Sequence, residues 1–174
     1  EQLLVLARLG ETGGAVLRRP VDVDDLVLLE ARRLRESTEL AIDTSGVSAA
    51  RVEGDERLLA RVLRNLADNA VRHARGRIAF TGSATDEAVV LAVDDDGAGI
   101  PEADRSRVFE RFVRLDEARS RDAGGSGLGL AIVAQIAEAH SGWVRVETSA
   151  LGGARFPGRT RAALQTAHPA HRRQ

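Results

Sequence analysis

Two amides and a guanidinium stand at i, i+4 and i+7 in one stretch of the chain, as Asn65, Asn69 and Arg72. On a helix these spacings share a face. Asparagine is a mediocre helix former, because its amide competes for the backbone. A merely solvated face would more often be Glu, Gln or Arg, so this stripe points at something polar and oxygen-rich. A solvated face with incidental asparagines is the competing reading of the helix alone. Further on, Asp95-x-Gly97-x-Gly99 follows an apolar run. A carboxylate at a strand end can accept a hydrogen bond from an amino group such as the exocyclic amine of adenine. The glycines let the backbone turn and a ligand come close. The alternative is an ordinary acidic turn. Strand alternation should send only one of Asp94, Asp95 and Asp96 into a pocket, leaving Asp94 and Asp96 as solvated neighbours.

A third stretch, Gly125-Ser126-Gly127-Leu128-Gly129, opens an apolar helix. Backbone N–H groups at such a start bind phosphate, aided by the helix dipole. A flexible hinge is compatible with that role. A dinucleotide fold would place a strand immediately before these glycines, and a Walker A motif needs a Lys, which the chain lacks. Mg²⁺ prefers oxygen ligands and keeps several waters, so an Asn carbonyl with nucleotide phosphate oxygens is a reasonable shell.

These residues need positioning elements. Leu59, Val62, Leu63, Leu66 and Ala70 form the apolar stripe of the asparagine helix, with Asp55 as its N-cap. Residues 1–14 read as a short amphipathic helix, the cut end of a longer one. Residues 16–23 are extended around Pro20. Asp22 or Asp24 caps a helix over residues 25–36, with Leu26, Leu29, Ala31 and Leu34 inward. Residues 40–43 and 50–52 read as short strands across a Ser/Gly turn, and residues 77–82 and 88–93 as a hairpin. Residues 116–125 read as a mobile loop, 127–140 as a helix, 143–148 as a strand, and 153–156 as a last short strand. The expectation is an α/β (α+β) two-layer sandwich, a mixed sheet with helices packed on one face.

Composition sets the limits. At 174 residues, 43% apolar and 29% charged, the chain holds one domain with a real core. A net charge of −1 makes no bulk case for nucleic acid or a membrane surface. With no Cys, disulfides, thiolate catalysis and Cys-based zinc sites are excluded. No apolar run approaches a membrane span, and the N-terminus does not read as a signal peptide.

Asn65-Leu66-x-x-Asn69-Ala70, Asp95-x-Gly97-x-Gly99-Ile100-Pro101, Phe109-Glu110-Arg111-Phe112 and Gly125-Ser126-Gly127-Leu128-Gly129-Leu130-Ala131-Ile132 stand in this order, with Gly153-Ala154-Arg155-Phe156 after them. They closely resemble the N, G1, F and G2 boxes, and a weaker G3-like turn, of the catalytic and ATP-binding domain of two-component sensor histidine kinases, in the GHKL superfamily. The resemblance covers roughly residues 20–156. It implies a Bergerat fold with a mobile ATP lid, and ATP and Mg²⁺ as ligands. It implies that Asn69 ligates Mg²⁺ with Asn65 beside it, and that Asp95 binds the adenine amine. Gly97, Gly99 and Ile100 would shape the base pocket. Gly125, Ser126, Gly127, Leu128 and Gly129 would form the phosphate-binding end of the lid, and Phe109 and Phe112 would anchor it. Arg114 would reach the terminal phosphate, with Arg119 or Arg121 able to share the task. Arg72 and His73 would lie near phosphates and base. The catalytic set is Asn65, Arg72 and Arg114.

The resemblance further implies that residues 1–15 end a dimerisation and phosphotransfer helix, that 16–160 form the kinase domain, and that 161–174 are a disordered tail. The partners implied are that helical domain and a response regulator, with no nucleic acid. The piece is expected to be a monomer, and the full-length kinase a membrane-anchored homodimer with this domain in the cytoplasm. The departures matter as well. None of His73, His140, His168 and His171 has the context of the family's phosphoacceptor. Val113 stands where an aromatic often follows the F box. Pro157 follows Phe156 and must lie at an edge or end the strand. Related ATPases and serine kinases carry a Glu where this chain has Asn65, an amide that cannot take a proton. Asp68 is a poor substitute, since it points about 60° away from Asn69. The activity expected is γ-phosphoryl transfer from Mg-ATP to a histidine on another segment. The alternatives are a catalytically silent nucleotide-binding module, or an ATPase or serine kinase of the superfamily.

Overall fold

The computed structural model describes residues 17–113 and 127–163; the expected helix at 1–14, the loop at 116–125 and the tail at 166–174 lie outside them. The chain runs β1 (Arg19–Asp22), α1 (Val23–Ser37), β2 (Ala41–Val47), β3 (Arg51–Gly54), α2 (Glu56–His73), β4 (Arg77–Ala84) and β5 (Ala88–Asp95). Two 3-10 turns, Glu102–Asp104 and Arg107–Phe109, come next. They lead to α3 (Gly129–Ala139), β6 (Trp143–Val144), β7 (Glu147–Thr148) and β8 (Ala154–Arg161). No helix among the described residues is long and apolar enough to cross a membrane.

The main sheet has the order β2-β4-β5-β8-β6, with β7 also on β8. It is mixed: β2 runs parallel to β4, and the remaining pairs are antiparallel. One face carries Ile78, Phe80, Val93 and Phe156, which pack against Val27, Ala31 and Leu34 of α1, Leu63, Leu66 and Ala70 of α2, and Val133 of α3. Each Val, Leu, Ile or Phe among them, fully buried, contributes about 1.5–3 kcal/mol. All three helices therefore lie on one face, as the sequence predicts.

Four local expectations are corrected. The strands near residues 40–43 and 50–52 do not pair with each other. β2 joins β4, and β3 joins β1 in a separate two-stranded sheet. Leu29 is 66% exposed, because the inward stripe of α1 is Val23, Val27, Ala31 and Leu34. Leu29 lies about 200° around the helix from Val27. The expected strand at 143–148 is two short strands with a break between them.

Pro157, finally, does not end β8; the strand continues to Arg161 between β5 and β6. The Pro157 carbonyl accepts from Arg145 N at 3.1 Å, on the side where β6 has ended and β7 has not begun. A strand residue's N and C=O point the same way, so the missing donor falls at that break. Beyond β8, Ala162 N bonds Glu87 O and Ala163 N bonds Arg51 O, so residues 161–163 belong to the sheet framework.

Candidate functional site

Helix α2 is fixed at three places. Its N-cap Asp55 accepts from Arg57 N and Leu58 N, as expected for a capping acid. The Asp55 N–H itself donates to His140 Nε2 at 3.1 Å, and His140 Nδ1 is 2.8 Å from the Ile136 carbonyl. His140 is 1% exposed and ties the start of α2 to the end of α3 as a neutral imidazole. Burial pushes its pKa below the ordinary histidine range. Along the helix, buried Glu30 of α1 pairs with Arg33 and Arg64, and Arg33 Nη2 donates to Asp68 at 2.6 Å. Asp68 is therefore committed to α1. At its end, α2 meets the acidic turn: Asp96 accepts from Arg75 N at 2.7 Å and Gly76 N at 3.1 Å. These backbone bonds, Gly76 first, hold the Asp96 carboxyl below the usual carboxylate range.

So held, α2 presents Asn65 and Asn69 on one side. Asn69 is 9% exposed, and its amide makes no hydrogen bond to a described residue. Asn65 Nδ2 is buried without an acceptor; among the described residues only Gln135 Oε1 shares that state. Opposite Asn65 is the start of α3. A Cβ added to Gly129 would stand 3.5 Å from Asn65 Oδ1, so amide and helix start are in contact distance. A buried donor left unmade costs about 1–3 kcal/mol. Beside it, the first N–H groups of α3 have no partner within the helix. An anionic oxygen placed there answers both, which is the fit expected of a phosphate group.

Asp95 sits on the helix face of the sheet, opposite Ile78, and is 1% exposed. Its Oδ1 accepts from Gly97 N at 2.8 Å and from Ala154 N at 3.2 Å. Its Oδ2 takes no hydrogen bond from a described residue, so its lone pairs could accept from a ligand N–H. The pocket wall needs glycine. A Cβ on Gly97 would lie 2.4 Å from the His73 carbonyl, and one on Gly153 would lie 2.2 Å from Asp95 Oδ1. Gly99 has φ +74 and faces Gly153.

From the third glycine stretch, Gly127 lies beside the F-box residues. Gly127, with φ +67, accepts from Phe112 N at 3.0 Å through its carbonyl. Phe109 packs edge-on against Phe156, centroids 6.4 Å apart. Phe112 is not the anchor the sequence suggests: the residue is 65% exposed, with φ 65. Buried Val108 stands with Phe109 instead. The Leu128 side chain is buried with Ile132 and Ile136, leaving only its backbone for a ligand.

Asn65, Asn69, Asp95, Gly97, Gly99 and Gly129 thus stand around the C-terminal half of α2 and the start of α3. Ile100 is half-buried against the core. Arg72 and His73 are exposed on the last turn of α2, and their side chains make no hydrogen bond or ion pair with a described residue. Arg114, Gly125 and Ser126, with Arg119 and Arg121, lie outside the described residues.

Sequence reasoning missed the contacts that four residues make. Gly153 and Ala154 hold Asp95; the signal was the double glycine before β8, but its distance in sequence hid the contact. Asp94 is not solvated: it is 3% exposed and accepts from Arg155 Nη1 at 2.6 Å and Ser149 Oγ at 2.8 Å. Its register opposite Arg155 explains this. Finally, His140 has no motif that marks its bridging role.

A cation at Asn69 would depend on ligand oxygens, since among the described residues no group of three or more His, Cys, Asp or Glu could hold a metal. An amide carbonyl and phosphate oxygens are hard donors of the kind Mg²⁺ takes.

The family model described as histidine kinase-, DNA gyrase B-, and HSP90-like ATPase matches residues 54–161. Sensor protein RstB of Escherichia coli is 40% identical over 162 residues, 90% of this chain and 36% of that protein. Sensor-like histidine kinase SenX3 of Mycobacterium tuberculosis is 37% identical, over 96% of this chain and 42% of that protein. The chain thus spans about two fifths of the length of these relatives. Among solved structures, the mycobacterial sensor histidine kinase MprB superposes with a TM-score of 0.73 at 29% identity, covering 83% of this chain and 97% of that one. Full-length ShkA in complex with AMPPNP gives 0.77 at 33% identity, over 93% of this chain and 35% of that one.

Proposed function

The chain belongs to the histidine kinase-, DNA gyrase B-, and HSP90-like ATPase family, and on that premise we propose that it binds Mg-ATP and passes the γ-phosphoryl group to a histidine on a helical phosphotransfer domain. The observation that carries this reading is the buried, unpartnered Asn65 Nδ2 beside the glycine start of α3. It is a donor pair for phosphate, and neither of the two described residues best placed on α2 serves as a base. Asn65 cannot accept a proton, and Asp68 is bonded to Arg33. That combination suits an acceptor that needs no deprotonation. The unprotonated imidazole nitrogen attacks the γ-phosphorus in line, the bond to the β,γ-bridging oxygen breaks, and ADP leaves. The product ring then gives its remaining N–H proton to water.

In this reading Asp95 Oδ2 accepts from the adenine amine, and the backbone at Gly127–Gly129 cradles phosphate. Asn69 holds Mg²⁺, which would neutralise phosphate charge. Arg114 reaches the terminal phosphate, and Arg72 and His73 add positive or polar character at the rim. The kinase as a whole would be a membrane-anchored homodimer with this domain in the cytoplasm, signalling to a response regulator.

The binding half is tested by calorimetry with ADP and ATP, with and without Mg²⁺, on the chain and on Asn69→Ala. The expected result is tight Mg-dependent binding that Asn69→Ala abolishes while the circular dichroism spectrum stays native. Equal binding by both proteins would refute the assignment of Asn69, and no nucleotide binding by the unsubstituted chain would refute the reading.

A further inference from the structure

Away from the nucleotide face, the helices and the sheet leave a cavity of about 70 Å³ between α2, α3 and strands β5, β6 and β8. It lies towards the first turns of α2 and the last turns of α3. Its walls include Leu63 and Leu66 from α2, Val133 and Ile136 from α3, and Val89 and Val93 from β5. All six are at most 4% exposed. It runs out to half-buried Trp143 and Thr160.

Of the polar residues that line it, exposed Arg159 and half-buried Trp143 stand at the mouth, while His140 and Thr160 already have partners. His140 has its Nε2 on Asp55 N and its Nδ1 on the Ile136 carbonyl. The Thr160 hydroxyl donates to the His140 carbonyl at 3.2 Å. A buried water needs two to four polar partners, and an apolar cavity without them stays dry and takes apolar guests. Protein interiors otherwise pack to the density of organic crystals, so a dry void of this size is a place where contacts are missing.

We propose that this cavity is a binding site for small apolar molecules, separate from the nucleotide site. Its size sets the class. A cavity of about 150 Å³ takes benzene, so by proportion this one takes a xenon atom or a hydrocarbon of about three carbons. A guest would touch α2 and α3 together, the two helices that carry Asn65 and Gly129, and would tighten the packing between them. Neither Asp95 nor Asn69 lines this cavity.

The test is methyl-resolved NMR of the chain under increasing xenon pressure, with no nucleotide present. The expected result is saturable shifts of the Leu63, Leu66, Val89, Val93 and Val133 methyls, with Val27, which packs elsewhere in the core, unmoved. Val133→Ile and, separately, Val89→Ile each add a methylene on the cavity wall. Each should raise the melting temperature and weaken the xenon shifts at least severalfold. Shifts that grow linearly without saturation, or that spread evenly over all core methyls, would overturn the proposal. So would a full xenon response in both filled variants. A variant that fails to fold leaves the response of the unsubstituted chain and of the other variant to decide.

Discussion

Gly153→Ala puts the smallest possible side chain against Asp95. The new Cβ would stand 2.2 Å from Asp95 Oδ1, 2.4 Å from Gly97 N and 2.5 Å from Asp95 O. Carboxylate movement relieves only the first contact, because the other two atoms are backbone. Either the turn before β8 or the Asp95–Gly97 turn must shift by several tenths of an ångström. The hydrogen bonds to Asp95 Oδ1 from Gly97 N and Ala154 N are then strained or broken. Bonds to a charged group contribute about 1.5–3 kcal/mol each, so partial loss of the pair should destabilise the fold by about 2–4 kcal/mol. Displacing the carboxylate should also weaken nucleotide binding at least about tenfold, equivalent to about 1.4 kcal/mol.

Gly152→Ala is the control: its Cβ meets nothing within 4 Å, and only φ +100 opposes it. That strain costs about 1–3 kcal/mol of stability but leaves Asp95 in place. Urea denaturation and calorimetry with ADP measure the two effects. A Gly153→Ala protein that binds ADP with unaltered affinity and loses less than about 0.5 kcal/mol would show that this wall tolerates a side chain at 153.

His140 makes stability depend on pH. Its folded pKa is depressed from 6.5, so its contribution is complete above about pH 6.5 and is lost as the pH falls from there to the folded value. The urea midpoint should drop across that window in the unsubstituted chain and much less in His140→Gln; equal slopes would contradict the bridging role. Asp68→Asn should lower phosphotransfer by less than about tenfold, because Asp68 serves an ion pair with α1. A fall of about 100- to 10,000-fold, the range for loss of a general base, would restore Asp68 as a catalytic group. Exchanging Asn65 for Glu should allow slow phosphate release from ATP by the isolated domain, measured by a coupled phosphate assay; no release despite retained ATP binding would show that more than a base is missing.

Local physics explains what the sequence made legible. The α2 cap at Asp55, its apolar stripe and the β4–β5 hairpin follow from periodicity and turn chemistry within a few residues. That Asp95 turns inward was legible because a strand end and glycines flank it. What was hidden depends on register between distant segments. Asp94 is buried because β8 places Arg155 opposite it. Pro157 is tolerated mid-strand because β6 and β7 leave a gap. Strand partners for β2 and β3 could not be read from their own residues, since a Ser/Gly stretch between two extended runs suits a hairpin as well as a split between sheets. The role of Phe112 failed for another reason: its positive φ turns the ring outward to let the chain meet Gly127, and apolar character alone carries no such direction.

With Asn65 in place of an acid, this domain is proposed to hand phosphate to an imidazole supplied from elsewhere. The measurement that bears on it most directly is transfer of label from γ-labelled ATP to a separately purified helical phosphotransfer domain of the same kinase, in the presence of Mg²⁺. The expected result is acid-labile label on that domain's histidine, absent when the histidine is replaced and absent with Asn69→Ala. A domain that demonstrably binds Mg-ATP yet leaves the helical domain unlabelled would contradict it.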